Sequence, residues 1–286
     1  MSDNKNLSKA KKAKDDEFYT LEYSIADELQ YYKPQLFGKH ILCNCNDLAH
    51  DGFYRHLVKN FHEYQLLSVT ATSYDPDGNG FAETYNGMTI RRTMLQGDGS
   101  YSSPECERLL EECDTVITNP PFSIAGDFID YVLKHGKQLL VICPLNKATN
   151  TNVFPYFMAN RLWFGVTQVK SFKTEPEGNR KFGNVYWFTN IGNHMHIKHI
   201  VLKEKYDPER HPHYDDFDDI IHVDKMKNAP ADYDGTMAFP VSYLPYHSFT
   251  QFDLVGTIGA GGWFNVGKAK INGKEMYKRV LVRKRK

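Results

Sequence analysis

The 286 residues carry 35 Lys plus Arg against 35 Asp plus Glu, so the chain has no net charge, and overall basicity is excluded as a means of holding nucleic acid. No apolar run approaches a membrane span, residues 1–10 lack a signal-peptide core, and five cysteines without paired ligand spacing read as reduced thiols. A cytoplasmic protein with no membrane partner and no metal is the expectation; His194, His196 and His199 in a strand-like stretch read as ordinary surface.

Lys9, Lys11, Lys12 and Lys14 make the start basic, and Lys278, Arg279, Arg283, Lys284, Arg285 and Lys286 close the chain, while acids cluster over 215–224. Ser24 is placed to cap a short helix carrying Ile25, Leu29 and Tyr32, and Pro34 to stop it. A strand over 40–45 leads to a helical stretch over 53–65, a β-branched run over 66–72 and a strand over 88–95. Pro104 opens a helix running to 113, before a strand over 115–118. In the next helix Ser123 is the expected cap, Ile124, Phe128, Ile129, Val132 and Leu133 form one apolar stripe, and Gly136 ends it.

Residues 138–145 read as a buried strand, and 162–172 with 185–189 as an antiparallel hairpin joined by a polar link over 173–184. This alternation predicts an α/β fold whose mostly parallel sheet is covered by helices on both faces, with the hairpin appended. From about residue 190 Pro, Asp, Tyr and Gly rise and the alternation is lost, which predicts a smaller, irregular C-terminal lobe. Its best-defined element is a hairpin turning at Asn272-Gly273 between 266–271 and 274–283. The expected division is therefore a basic arm over 1–22, a main domain over 23–190 and a second region over 191–286.

The strongest chemical signal is Asn119-Pro120-Pro121-Phe122, directly after one strand and directly before the clearest helix. Ordinary composition gives an [Asn/Asp/Ser]-Pro-Pro-aromatic string in such a chain roughly one time in a hundred. In an open α/β sheet, ligands bind beyond the carboxyl ends of strands, where this tetrapeptide falls. It resembles the catalytic tetrapeptide of the amino-methyltransferases of DNA, which implies a Rossmann-like fold and S-adenosylmethionine as methyl donor. An adenine amino nitrogen is a poor nucleophile because its lone pair is delocalised into the ring. The resemblance makes the Asn119 side-chain oxygen and the Pro120 carbonyl two acceptors that localise that pair, Pro121 a second brace on the backbone, and Phe122 a stacking surface for the extruded base.

Other segments carry the same resemblance, specifically to the EcoRI-type adenine-specific family. Asp16-Glu17-Phe18-Tyr19-Thr20 looks like the segment that closes over the donor, implicating Tyr19 and Thr20. Ile41-Leu42-Cys43-Asn44-Cys45-Asn46-Asp47 stands where most methyltransferases have a glycine-rich loop; it has no glycine before Gly52, and Asn44 and Asp47 are the expected donor contacts. Asp75 and Asp98 are the candidate acids for the donor's nucleoside, although Asp75-Pro76-Asp77-Gly78 is also a strong turn sequence. Phe182, opening the stretch 181–189, resembles the second aromatic wall of the target-base site. The family's order places sequence reading in the C-terminal lobe, where Lys268, Lys270 and Lys274 flank the hairpin as candidate contacts to double-stranded DNA.

The tetrapeptide alone leaves the acceptor open. A glutamine methyltransferase of protein release factors shows a similar string on the same fold, and a DNA-binding relative that has lost catalysis is a third reading. The sequence fixes no oligomeric state and is compatible with a monomer.

Overall fold

The computed structural model describes residues 19–46, 52–174, 178–195, 199–259 and 265–285. It divides into two compact units, one of residues 1–144 and 165–192, the other of 145–164 and 193–286. The second boundary lies close to the composition shift near 190. Residues 145–164, expected in the main domain, instead cluster with the C-terminal residues, because 154–158 pack against 252–258 and 145–149 against 241–246. Among the described residues no helix is long and apolar enough to cross a membrane.

The strands of the first unit are β1 (Tyr19–Thr20), β2 (His40–Asn46), β3 (Ser68–Ser73), β4 (Phe81–Tyr85), β5 (Ile90–Met94), β6 (Thr115–Thr118), β7 (Gln138–Pro144), β8 (Trp163–Thr174) and β9 (Gly178–Thr189). They form one sheet in the order β1-β8-β9-β7-β6-β2-β3-β4-β5. Its heart is parallel, β3 against β2, β2 against β6 and β6 against β7. Both flanks are antiparallel: β3, β4 and β5 make a meander, and β9 runs against β7. The sheet is therefore α/β with a parallel centre and has more antiparallel strand than expected. Strand β4 was illegible because its sequence, FAETY, is half polar and short.

Helices α1 (Glu22–Leu29), α2 (Lys33–Leu36), α3 (Gly52–Lys59), α4 (Pro104–Glu112) and α5 (Ala125–Lys134) lie along this unit. Ser24 is not a cap: α1 starts earlier, at Glu22 with Leu21 in the cap position, and Ser24 is buried within it. Pro34 does not stop structure but sits in the first turn of α2, where its missing N–H costs nothing. Helix α3 ends at Lys59, well short of residue 65. Ser103 does cap α4, accepting from the Cys106 amide at 3.3 Å. The expected cap Ser123 is displaced, since α5 starts after Ile124, whose amide donates to the Pro121 carbonyl at 3.1 Å. The tetrapeptide thus ends in a turn that launches α5.

Burial locks α1 to the sheet. Glu28 is fully buried and its carboxylate accepts from Tyr32 Oη and the Val166 amide, both at 2.8 Å, and from the Thr167 amide and Oγ1, both at 2.6 Å. Residue 165 has to be glycine here, because a Cβ would lie 2.2 Å from Glu28 Oε1. Desolvation raises the pKa of Glu28 above the usual carboxylate value despite these donors. Ile25, Leu29, Phe53, Leu57, Ile117, Leu140 and Trp187 pack in the same core.

The second unit holds α6 (Phe154–Met158) and the strands β10 (His213–Tyr214), β11 (Phe217–His222), β12 (Thr236–Pro240), β13 (Phe252–Ile258), β14 (Lys270–Ile271), β15 (Lys274–Glu275) and β16 (Arg279–Lys284). Five of them form a sheet in the order β10-β11-β12-β16-β13, so this lobe is ordered β structure and not irregular. Its strands are short and some carry register shifts, which erases a clean alternation in sequence. Asn272 and Gly273 turn the β14-β15 hairpin with φ of 49° and 75°. Strand β16 leaves that hairpin and pairs with β12 and β13.

Candidate active site

Strand β2 lies between β3 and β6, so the chain leaves it toward one side first and the other later, and the crevice of an open sheet forms at such a switch point. Asn44, Asp75 and Asn119 stand at or just beyond the carboxyl ends of β2, β3 and β6, three adjacent parallel strands. Thr118 Oγ1 donates to the Asn44 carbonyl, tying the residue before the tetrapeptide to the β2 end. Pro120 is buried, Asn119, Pro121 and Phe122 are half-buried, and the Asn119 side-chain oxygen is out of contact with water.

The β2 end solves without glycine the problem that a glycine-rich loop usually solves. Cys45 has φ of 60°, in the left-handed region, and the β2-β3 register shifts between Cys43 and Asn46. The strand therefore bulges at Asn44-Cys45, which lets the chain turn away from the sheet. Sequence reading found the missing glycine but not its substitute, because nothing in a cysteine announces positive φ. Asp47 lies outside the described residues, as do Asp16, Glu17 and Phe18.

Asp75 and Asp98 are brought together by backbone: the Asp75 amide donates to the Asp98 carbonyl at 2.8 Å. Gly99, with φ of 76°, approaches so closely that a Cβ would lie 2.2 Å from the Ser73 carbonyl oxygen. Each acid also holds its own turn, Asp75 Oδ1 accepting from the Asp77 amide and Asp98 Oδ1 from the Ser100 amide, both at 2.9 Å. The turn role expected of Asp75 is thus present beside its place at the crevice.

Thr20, far from β2 in the sheet order, still reaches the first residue of α3. Gly52 packs on Thr20 so tightly that a Cβ there would lie 2.9 Å from the Thr20 carbonyl oxygen. Thr20 Oγ1 and Asn44 Oδ1 are both buried with no hydrogen-bond partner among the described residues. A buried acceptor or hydroxyl left unsatisfied costs about 1–3 kcal/mol, which a polar ligand spanning the crevice would relieve. These two atoms, with the paired acids, fit a donor that carries an amino-acid end and a nucleoside end.

On the other side of the tetrapeptide, Phe122 meets two rings of the β8-β9 pair. Phe122 and Phe182 stand 6.1 Å apart, Phe122 and Phe172 5.8 Å, and Phe172 and Phe182 5.3 Å, all edge to face. Phe182 is thus brought to the tetrapeptide. Phe172 was missed, since alternation along β8 marks it only as one inward residue of many. Arg180 lays its guanidinium 5.3 Å over the Phe182 ring.

Lys268, Lys270 and Lys274 belong to the second unit, on and beside the β14-β15 hairpin. Lys268 and Lys274 are exposed and Lys270 is half-buried. The hairpin turn is held by an acid: Asp215 accepts from the Asn272 and Gly273 amides at 2.6 and 2.8 Å. Asp216, Asp218 and Asp219 are exposed on the same segment, so negative charge accompanies these lysines.

A family model described as adenine-specific methyltransferase EcoRI matches residues 6–90 and 79–285. The chain belongs to the EcoRI-type methyltransferase family. The chain is 32% identical to the type II methyltransferase M.MgeORF184P of Mycoplasma genitalium and 31% identical to M.MpnI of Mycoplasma pneumoniae, in each case over 98% of both chains. It is 32% identical to the type II methyltransferase M.EcoRI of Escherichia coli, over 99% of this chain and 97% of that one. No solved structure matches. Family membership and near-complete coverage make the chain an EcoRI-type methyltransferase and bear out the resemblance to that family.

Proposed function

We propose that this EcoRI-type methyltransferase transfers a methyl group from S-adenosylmethionine to the 6-amino nitrogen of an adenine turned out of double-stranded DNA, at a specific site. The observation that carries the reading is the position of Asn119 between Asn44 of β2 and the Phe122-Phe172-Phe182 cluster, with donor-type groups on one side and stacking rings on the other.

Asn119 Oδ1 and the Pro120 carbonyl accept the two amino hydrogens, which favours a pyramidal nitrogen with its lone pair directed at the donor. Two prolines hold those acceptors before substrate arrives, so little reorganisation is needed during reaction. Thr20, Asn44, Asp75 and Asp98 hold the donor. When bound, its sulfonium supplies an electrophilic methyl carbon and leaves as a neutral thioether. The nitrogen bonds that carbon and sheds one hydrogen to solvent as a proton. Phe122 and Phe182 offset part of the stacking lost on extrusion. The second unit reads the DNA sequence, with Lys268, Lys270 and Lys274 toward the backbone.

Incubation with labelled S-adenosylmethionine and either duplex DNA or a protein release factor tests the reading. Label is expected in the adenines of DNA at one sequence. Label in glutamine of the release factor would move the activity to a protein acceptor, and no transfer to either would leave a DNA-binding relative.

A further inference from the structure

The cations that close the chain do not share one fate in the second unit. Lys278 Nζ donates to the Thr149 carbonyl at 3.1 Å, Arg283 to Thr236 Oγ1 at 2.8 Å, Lys284 to the Ala231 carbonyl, and Arg285 to Asp253 at 2.7 Å. Arg279 differs. It opens β16 opposite Pro240 and Ile258, the last residues of β12 and β13, so it stands at one end of the sheet. The residue is 8% exposed, and its Nε is sealed from water with no hydrogen-bond acceptor. Among the described residues its charge partner is Asp224, at 3.9 Å, which is beyond hydrogen-bond length.

A guanidinium carries five N–H donors in a rigid planar fork, and taking such donors out of water without acceptors is costly. Asp224 meets the charge but not the donors, since its Oδ1 faces His222 Nε2 at 2.7 Å. Tyr214 Oη donates to His222 Nδ1 at 2.9 Å, and both of those rings are buried. The Nε2–H of that tautomer donates to Asp224 and fixes the carboxylate beside Arg279. The arginine is thus oriented by attraction and left with donors to spare. Its side chain keeps 10% of its surface, and Asp224 beside it is 69% exposed, so the pair opens to solvent on the carboxylate's side.

Such a pair suits a ligand with two adjacent acceptors and no charge of its own, because a phosphate would bring its charge against Asp224. The major-groove edge of guanine presents O6 and N7 as acceptors, and its paired cytosine presents an N4 amino donor that a carboxylate can accept. An A·T pair offers adenine N7 beside a donor, and so fails to match the fork. We infer that Arg279 and Asp224 together read one G·C pair of the recognised DNA sequence, Arg279 donating to guanine O6 and N7 and Asp224 accepting from cytosine N4. This rests on the DNA reading above and deepens it, naming side chains that choose the sequence where Lys268, Lys270 and Lys274 supply grip.

The test compares the full-length wild type, Arg279→Gln and Asp224→Ala on a duplex that the wild-type protein methylates, and on duplexes with each base pair of the recognised sequence exchanged in turn. Wild type should lose about 5–150-fold in kcat/KM when one particular G·C pair becomes A·T, the worth of one bidentate contact. Arg279→Gln should show that loss already on the original duplex, lose nothing more on that one exchange, and discriminate at the other positions as wild type does. Asp224→Ala should relax the same position. S-adenosylmethionine affinity and denaturant unfolding establish that each variant is folded. Unchanged discrimination at every G·C pair in Arg279→Gln overturns the inference. Should that variant fail to fold, Asp224→Ala, altered at an exposed side chain, decides alone by the same criterion. A uniform loss on all duplexes, with the slope of log affinity against log salt lowered by about 0.9, marks a phosphate contact and also overturns it, as does a recognised sequence without a G·C pair. A wild-type chain that methylates no DNA removes the DNA reading itself, whereas a site-selective wild type with unaltered variants removes this contact alone.

Discussion

The rings of Phe122 and Phe182 meet at 89°, one edge against the other's face, with centroids 6.1 Å apart. Such a pair cannot clasp a base between parallel walls as it stands, so one ring must turn when a base enters. Phe182 is the freer candidate, being on a strand exposed along its first half, whereas Phe122 is fixed by the turn that launches α5.

Phe182→Ala is therefore expected to weaken productive base binding by about 1–3 kcal/mol, the usual worth of a base-aromatic stack. KM for DNA should rise roughly tenfold or more, with Phe182→Trp recovering most of it. Fluorescence of 2-aminopurine at the target position would report extrusion directly. Equal fluorescence gain in wild type and Phe182→Ala would remove Phe182 from the site.

Asn119→Ala is expected to lower single-turnover methyl transfer on the order of 10²–10³-fold, the usual effect of losing one prearranged polar group. Binding of S-adenosylmethionine should persist, since the role proposed for the side chain is toward the target amine and not the donor. Asn119→Asp keeps an acceptor oxygen at the same place and should return part of the rate. Turnover of the alanine variant at the wild-type rate would refute the assignment.

The left-handed backbone at Cys45 costs a non-glycine residue on the order of 1–2 kcal/mol. Cys45→Gly removes that cost but adds the chain entropy of glycine, about 0.5–1 kcal/mol. The net effect should thus lie between no change and a gain of about 1.5 kcal/mol, with activity retained. Cys45→Val adds β-branching at positive φ and should destabilise by more than Cys45→Ala does. Denaturant unfolding of the three variants checks the order; a stable valine variant would mean the bulge is absent in solution.

How far the sequence could be read follows from where each signal is local. The tetrapeptide was legible because the strand before it, the turn and the helix after it are contiguous, and Thr115–Thr118 falls where expected. Phe182 and Tyr19-Thr20 were legible only through resemblance, since their approach to Phe122 and Gly52 depends on sheet order. That Arg55 and Lys173 line one cavity was illegible, because α3 and β8 are distant in the chain. Ser123 misled because the Pro121 carbonyl already takes the amide of Ile124, so the turn begins the helix without a side-chain cap.

Glu28 gives a prediction whose sign depends on pH. Its two oxygens each accept two donors, so Glu28→Gln turns an amide NH₂ toward groups that are themselves donors, and the first unit should lose about 2–3 kcal/mol at neutral pH. Because burial raises the folded pKa above 4.5, the native carboxyl binds its proton more readily than the unfolded one does. Its contribution is fully present below 4.5 and diminishes as pH rises through the folded value. Wild type should therefore gain on the non-titrating glutamine variant as pH is lowered from neutral toward 4.5. Denaturant unfolding of both proteins across that range measures the gap; a gap that narrows on acidification would show that the four donors, and not desolvation, set the charge state of this carboxyl.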